Sequence, residues 1–336
     1  MKNQILKLIL QSLLLTFLIK NTTAQTDPHF TQYYLYPHFM NPGLTGVMDG
    51  DVRVSGIYRS QWGSLSNPYA TPGFTLDVTT DKNINIGASI LSQGAGSAGF
   101  RYTAAHLSIS YTGLKFGAAQ EQQLTVGLQA GLISRRFDPS KFQLDDQWIP
   151  GLGYNPGLPS SDVFPVTNSG VLDIGAGLFY HDASPDKKVT LFGGAAVYHL
   201  NRPADPFVTS ADLPYIPLRL SVHGGAAVKL SDQLMMTPGF LWMQQGTAQQ
   251  LMLGTHFRVT VNETTDFLAG TYYRVNDSFS PFAGITFNNL TMGASYDVTT
   301  SQLARLSRGA SAFELSLSYL LKKPGRNVNY FQCPRF

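Results

Sequence analysis

The feature that most constrains this chain is a two-residue alternation of oily and polar side chains. Over Leu251 to Asn262 one parity reads Leu251, Leu253, Thr255, Phe257, Val259 and Val261, and the other reads Met252, Gly254, His256, Arg258, Thr260 and Asn262. A period of two marks a strand with one apolar and one polar face. In Leu218 to Leu230 the same split sets Leu218, Leu220, Val222, Ala226 and Val228 against Arg219, Ser221, His223 and Lys229. It recurs where Phe313, Leu315, Leu317 and Tyr319 alternate with Glu314, Ser316 and Ser318. If the oily side faces lipid, a slip of one residue would turn Arg258 into hydrocarbon at a cost of roughly 2 to 4 kcal/mol, so register is strongly specified.

Charged residues are only 13% of the sequence, against roughly 25% in soluble globular domains. Beyond the N-terminal leader no apolar run reaches the length of a spanning helix. Only helices and closed barrels can cross a bilayer, because unpaired backbone groups in hydrocarbon are too costly. The predicted fold class is therefore all-β, a transmembrane antiparallel β-barrel. Strands are expected near 51–60, 72–79, 84–92, 102–113, 123–136, 171–181, 188–199, 218–230, 234–243, 249–261, 265–275, 279–287, 289–297 and 311–322, fourteen in all, an even number as bacterial single-chain barrels have. Odd-numbered connections, among them 62–71, 93–101, 137–170 and 200–217, are mostly longer than even-numbered ones such as 80–83, 231–233 and 262–264. That asymmetry suits a barrel with long outer loops and short periplasmic turns, and a soluble β-sandwich would not predict it.

Residues 1–24 read as a cleaved signal peptide, with Lys2 and Lys7 at the front, an apolar Leu8 to Ile19, and Thr22, Thr23 and Ala24 at the cut. The apolar part is shorter than the roughly 17 to 25 residues of a spanning helix, and no cysteine is available there for lipidation. Loss of Lys2, Lys7 and Lys20 brings the 24 Lys+Arg to 21, equal to the 21 Asp+Glu. The mature chain is then formally neutral and carries no electrostatic footprint for nucleic acid. The remaining expectations are an aromatic N-terminal plug over 25–50, the barrel over 51–322, a periplasmic tail over 323–336, and both termini on the periplasmic side of the outer membrane.

Two connections are rich in proline and aromatics, which form shaped surfaces at low entropic cost. Trp148, Tyr154 and Phe164 lie in one, Phe207 and Tyr215 in the other; they are candidate partner contacts or parts of a packed cap. At the C-terminus, FQCPRF follows the last alternating strand. Pro334 cannot donate to a ladder, so Cys333, Pro334, Arg335 and Phe336 belong to a tail that docks at the periplasmic mouth or touches a partner.

Several stretches together resemble the PorP/SprF family of type IX secretion system outer-membrane proteins from Bacteroidetes. They are DPHFTQYYLYPHFMNPGLTG (Asp27 to Gly46), YRSQWGSL (Tyr58 to Leu65), YHLNRP (Tyr198 to Pro203), SYDVTTSQL (Ser295 to Leu303), GASAFELSLSY (Gly309 to Tyr319) and CPRF (Cys333 to Phe336). Each is weak singly, but their order along one signal-bearing β chain is specific. Gly43 stands where many members would have alanine. The resemblance implies a barrel without enzymatic activity, working in secretion or gliding motility. Its implied partners are outer-membrane lipid, a large secreted adhesin-like protein with a C-terminal sorting domain, and periplasmic components of the machinery. A porin or hydrophobic-solute transporter would use the same architecture, and a purely structural barrel is a third reading.

No catalytic or cofactor motif is found. The seven histidines are scattered, without zinc spacing, and His223 and His256 are expected in a lumen hydrogen-bond network. No GxSxG or phosphate-binding loop occurs. Asp145 and Asp146 lack the regular spacing of a calcium loop. No metal or cofactor is expected.

Overall fold

The structure is a computed structural model, described here for residues 27–63, 68–80, 82–96, 99–162, 164–204, 215–301 and 312–322. The leader, Phe207 and the tail with Cys333, Pro334, Arg335 and Phe336 lie outside the described residues. Fourteen antiparallel strands close into one barrel. They are β1 (Val52–Gln61), β2 (Tyr69–Val78), β3 (Ile84–Ala95), β4 (Phe100–Phe116), β5 (Gln122–Arg136), β6 (Asn168–Asp182), β7 (Val189–Tyr198), β8 (Arg219–Lys229), β9 (Leu234–Gln245), β10 (Ala248–Asn262), β11 (Thr265–Arg274), β12 (Ser278–Phe287), β13 (Leu290–Thr299) and β14 (Ala312–Leu321). Each expected strand is present, with ends shifted by three residues or fewer. Closure pairs β1 with β14 from Val52↔Leu321 to Gln61↔Ala312.

Three strand-interior prolines shape the wall. Tyr58 pairs with Pro72, yet the ladder from β2 to β3 skips from Ala70↔Gly94 to Gly73↔Leu91. Pro238 pairs with Thr255, while β8 and β9 skip from Gly225↔Gly239 to Val228↔Met236. Pro281 pairs with Thr271, while β12 and β13 skip from Phe279↔Val298 to Phe282↔Ser295. A proline has no N–H to give, so one of its two neighbouring ladders opens while the other holds. This is why β2 continues back to Tyr69, past the proline that the sequence suggested as its start.

The two faces separate as the alternation requires. In β14, Phe313, Leu315, Leu317 and Tyr319 are exposed outward, while Glu314, Ser316 and Ser318 are buried inward. Leu107, Leu132 and Leu191 belong to the same outer apolar band. Aromatic side chains ring that band at both ends: Tyr58, Tyr273, Phe279, Tyr296 and Phe313 toward the long connections, and Tyr111, Phe116, Phe267, Phe287 and Tyr319 toward the short turns. An apolar belt between two aromatic girdles is how a barrel meets a bilayer.

Candidate functional site

The lumen is occupied by the chain's own residues 27–51. Prolines break this stretch into single turns, a 3-10 turn at Tyr33–Leu35, one helical turn at Pro37–Met40 and a 3-10 turn at Pro42–Leu44. The second and third each begin with proline, whose missing N–H is unneeded at a helix start. The Asn41 side-chain oxygen caps the third by accepting from Gly43 N at 2.8 Å. Such short turns are not stable alone, and their order comes from the surrounding wall. Phe30, Thr31, Gln32, His38, Asn41 and Thr45 are all 2% exposed or less.

Ion pairs and hydrogen bonds fix the segment along its length. Near the long-connection mouth, the Glu314 carboxylate accepts from Thr31 N at 2.7 Å and Gln32 N at 2.8 Å. Arg59 binds Glu314 at 2.5 Å and Asp297 at 2.8 Å, and Arg274 donates to Thr31 Oγ1 at 2.8 Å. Two successive backbone amides on one carboxylate make a charge-assisted clasp, which is stronger than neutral hydrogen bonds. Beside it His199 lies between Asp27 (3.1 Å) and Asp173 (2.7 Å), and Asp173 also holds His106 at 2.8 Å. The Arg219 guanidinium is sandwiched between the Phe39 and Tyr198 rings, 4.0 Å from each centroid. Burial opposes the charge on His199, but Asp27 and Asp173 outweigh it and raise its pKa to about 9. Burial would raise the Asp27 carboxyl, but His199 and Arg219 hold it well below the usual range.

Midway, the Asn41 amide donates to Leu178 O at 2.8 Å and meets His223 Nε2 at 3.1 Å. Tyr34 stacks on His256 and packs against Tyr272 and Phe282. Near the short-turn mouth, the Asp77 carboxylate receives His38 at 2.7 Å, Gly46 N at 2.9 Å and Arg53 at 2.9 Å. Lys322 then binds Asp49 at 2.8 Å. The segment therefore crosses the barrel, with Asp27 at the mouth bearing the long connections and Asp51 at the other, where Lys322 also lies. Strand parity fixes where β1 starts and not where the segment before it begins, and the two chain ends that the sequence reading put on the periplasmic side lie outside the described residues.

Inward-facing glycines make the socket. A Cβ on Gly127 would overlap the Pro42 carbonyl, and one on Gly177 would overlap the Asn41 side chain. At Gly293 it would meet Gln32 Oε1 at 2.6 Å. Glycine here provides close approach, a purpose that cannot be read from strand propensity. Scattered in sequence, the histidines converge on this interface: His29, His38, His181, His199, His223 and His256 are each 6% exposed or less. The readable signal was the inward parity of Arg59, Asp77, Asp173, Arg219, Arg274, Asp297 and Glu314. Charges on the lumen face of so charge-poor a chain call for buried partners.

Of the expected contact residues, Trp148 and Tyr154 come together with ring centroids 6.2 Å apart. They do so across a two-residue pairing of Trp148–Ile149 with Gly153–Tyr154, a hairpin that the sequence reading missed. Phe164 packs instead on Phe137 and Phe142. Trp148 is half exposed. Tyr215, in the connection before β8, lines a recess of about 320 Å³ with Arg202, Ile216 and Pro217. Asp146 is tied down within its own loop by Ser160 and Ser161.

A family model described as type IX secretion system membrane protein PorP/SprF matches residues 22–319. No curated protein matches the sequence. Among solved structures, the toluene transporter TbuX of Ralstonia pickettii is 14% identical, with 84% of this chain and 92% of that one covered and a TM-score of 0.47. The P. putida toluene transporter TodX is 12% identical over 84% and 93%, with a TM-score of 0.46. A Pseudomonas aeruginosa FadL homologue is 14% identical over 83% and 92%, with a TM-score of 0.41.

Proposed function

Because the chain belongs to the PorP/SprF family of type IX secretion system membrane proteins, we propose that this outer-membrane barrel is a non-enzymatic part of the secretion and gliding machinery. It helps to export, or holds at the surface, a large secreted adhesin-like protein with a C-terminal sorting domain. The long connections face outward, the short turns face the periplasm, and residues 27–51 act as a plug. The single observation that carries this reading over a porin or hydrophobic-solute transporter is the occupied lumen. Thr31 and Gln32 are clasped at one mouth and Gly46 and Asp49 at the other, so a solute path would require their release.

In this reading the outer connections carry the partner contacts, through Trp148, Tyr154, Phe164, Phe207 and Tyr215. Cys333, Pro334, Arg335 and Phe336 face the periplasmic components. A pull-down of the tagged protein from its own outer membrane in mild detergent tests the proposal. The expected result is recovery of a protein bearing a type IX sorting domain, reduced by Trp148→Ala with Tyr154→Ala. Recovery of the barrel alone across several detergents would refute it. Deleting residues 25–46 is expected to raise conductance in planar bilayers, and unchanged conductance would remove the plug.

A further inference from the structure

A cavity of about 200 Å³ opens beside Asp27 at the long-connection mouth, between the lumen segment and the wall. Its lining brings together amide side chains and aromatic ones: Gln61, Gln245, Gln249 and Gln250 with Trp62 and Phe39. Gln245 is 7% exposed, yet among the described residues its Nε2 has no hydrogen-bond partner, and neither has the Nε2 of Gln250. Arg274 Nε and Asp27 Oδ1, on two further lining residues, are also without hydrogen-bond partners among the described residues. Buried polar atoms in proteins are normally paired, so each unpaired one asks for an explanation. Arg219 Nε and Nη1 are in the same state, so among the described residues five such donors and one acceptor belong to side chains that line one cavity.

The charges already present indicate what would satisfy them. Arg274 is neutralised by Asp277 at 2.7 Å and Asp297 at 3.2 Å, and Arg219 by Asp27 at 3.1 Å. An anion entering the cavity would have to compete with these carboxylates. An uncharged hydroxyl can instead accept from a glutamine amide and donate to Asp27 Oδ1, and Trp62 offers an apolar face for ring C–H groups. In size, a dry cavity of about 150 Å³ accepts a benzene ring, so this one has room for a single six-membered ring with its hydroxyls. We propose that the cavity is a binding site for one neutral pyranose unit of a glycan. The site is independent of the secretion-partner reading and would exist whatever that partner is.

The test uses the full mature chain, purified in a detergent without a sugar headgroup. Glucose, galactose, mannose and N-acetylglucosamine are titrated separately, with saturation-transfer NMR and tryptophan fluorescence as readouts and gluconate as the charged control. At least one neutral sugar should bind saturably and gluconate should not compete. Gln245→Ala with Gln250→Ala should weaken binding about tenfold, as expected for the loss of one or two hydrogen bonds. Heat-modifiable migration on gels reports whether the barrel is folded, and Trp62→Ala serves as a second variant if the double one is not. Displacement of the bound sugar by oligosaccharide from the cell's own lipopolysaccharide, or by glycopeptide from its secreted proteins, would each support the site and identify the source. The proposal fails if no neutral sugar binds, if binding survives the folded variants, or if gluconate binds in its place.

Discussion

Substituting alanine at Gly127 and Gly177 should displace the lumen segment while leaving the wall intact. The three atoms nearest an added Cβ at Gly127 all belong to Pro42 and Gly43, and those at Gly177 to Asn41 and Pro42; none is a wall atom. Restoring ordinary contact requires the 41–43 turn to retreat by about 1 Å at each site, and overpacking of this kind costs about 1–3 kcal/mol. A retreat at Gly177 also strains the Asn41 bonds to Leu178 O and His223, each contributing roughly 0.5–1.5 kcal/mol. The double variant should therefore lose about 2–5 kcal/mol of segment docking, a shift of about thirtyfold or more at 1.4 kcal/mol per decade. In the strands themselves alanine is at least as good as glycine, so wall stability should hold or rise by up to about 1 kcal/mol. Bilayer conductance and protease cleavage within residues 27–51 report docking, and the temperature of gel-shift unfolding reports the wall. Conductance and cleavage both unchanged with a folded barrel would refute the socket. A fall in wall stability with the segment still protected would show that these glycines serve the strands.

Two further outcomes concern the same interface, and a third concerns the outer hairpin. Glu314→Gln should weaken the clasp on Thr31 and Gln32 and leave Arg59 with Asp297 as its carboxylate partner. Removing one partner of a buried ion pair costs about 3–5 kcal/mol, which a lowered unfolding midpoint in urea would reveal. Docking of the Asp27 end should depend on pH at both limits. His199 is raised to about 9, so its contribution is complete below its ordinary 6.5 and is lost as pH rises through about 9. Asp27 is depressed, so its contribution is complete above its ordinary 3.8 and is lost on further acidification. Protease accessibility near residue 27 should therefore be lowest between these limits, and His199→Gln should abolish the alkaline limb. Trp148→Ala alone should leave barrel unfolding unchanged within about 0.5 kcal/mol, as for an exposed loop residue. A larger loss would make the Trp148–Tyr154 hairpin part of the stability of the barrel and not a surface held out for a partner.

By itself the sequence determined the wall. A strand's faces follow from neighbours two residues apart, so Leu251 to Asn262 or Phe313 to Tyr319 state their own inside and outside, and hydrocarbon penalises any slip. Fourteen such segments in a charge-poor chain leave a closed barrel as the consistent outcome. What the tertiary structure decided is the interior. Thr31 meets Glu314 across 283 positions, Gln32 meets Ser316 across 284, and Asn41 meets His223 across 182. No local pattern encodes a contact of that separation, and Gly127, Gly177 and Gly293 looked like weak strand residues until Pro42, Asn41 and Gln32 were seated against them. The direction in which residues 27–51 cross the lumen was equally invisible, because it depends on which inward charges, distant in sequence, lie at which mouth once the barrel has closed.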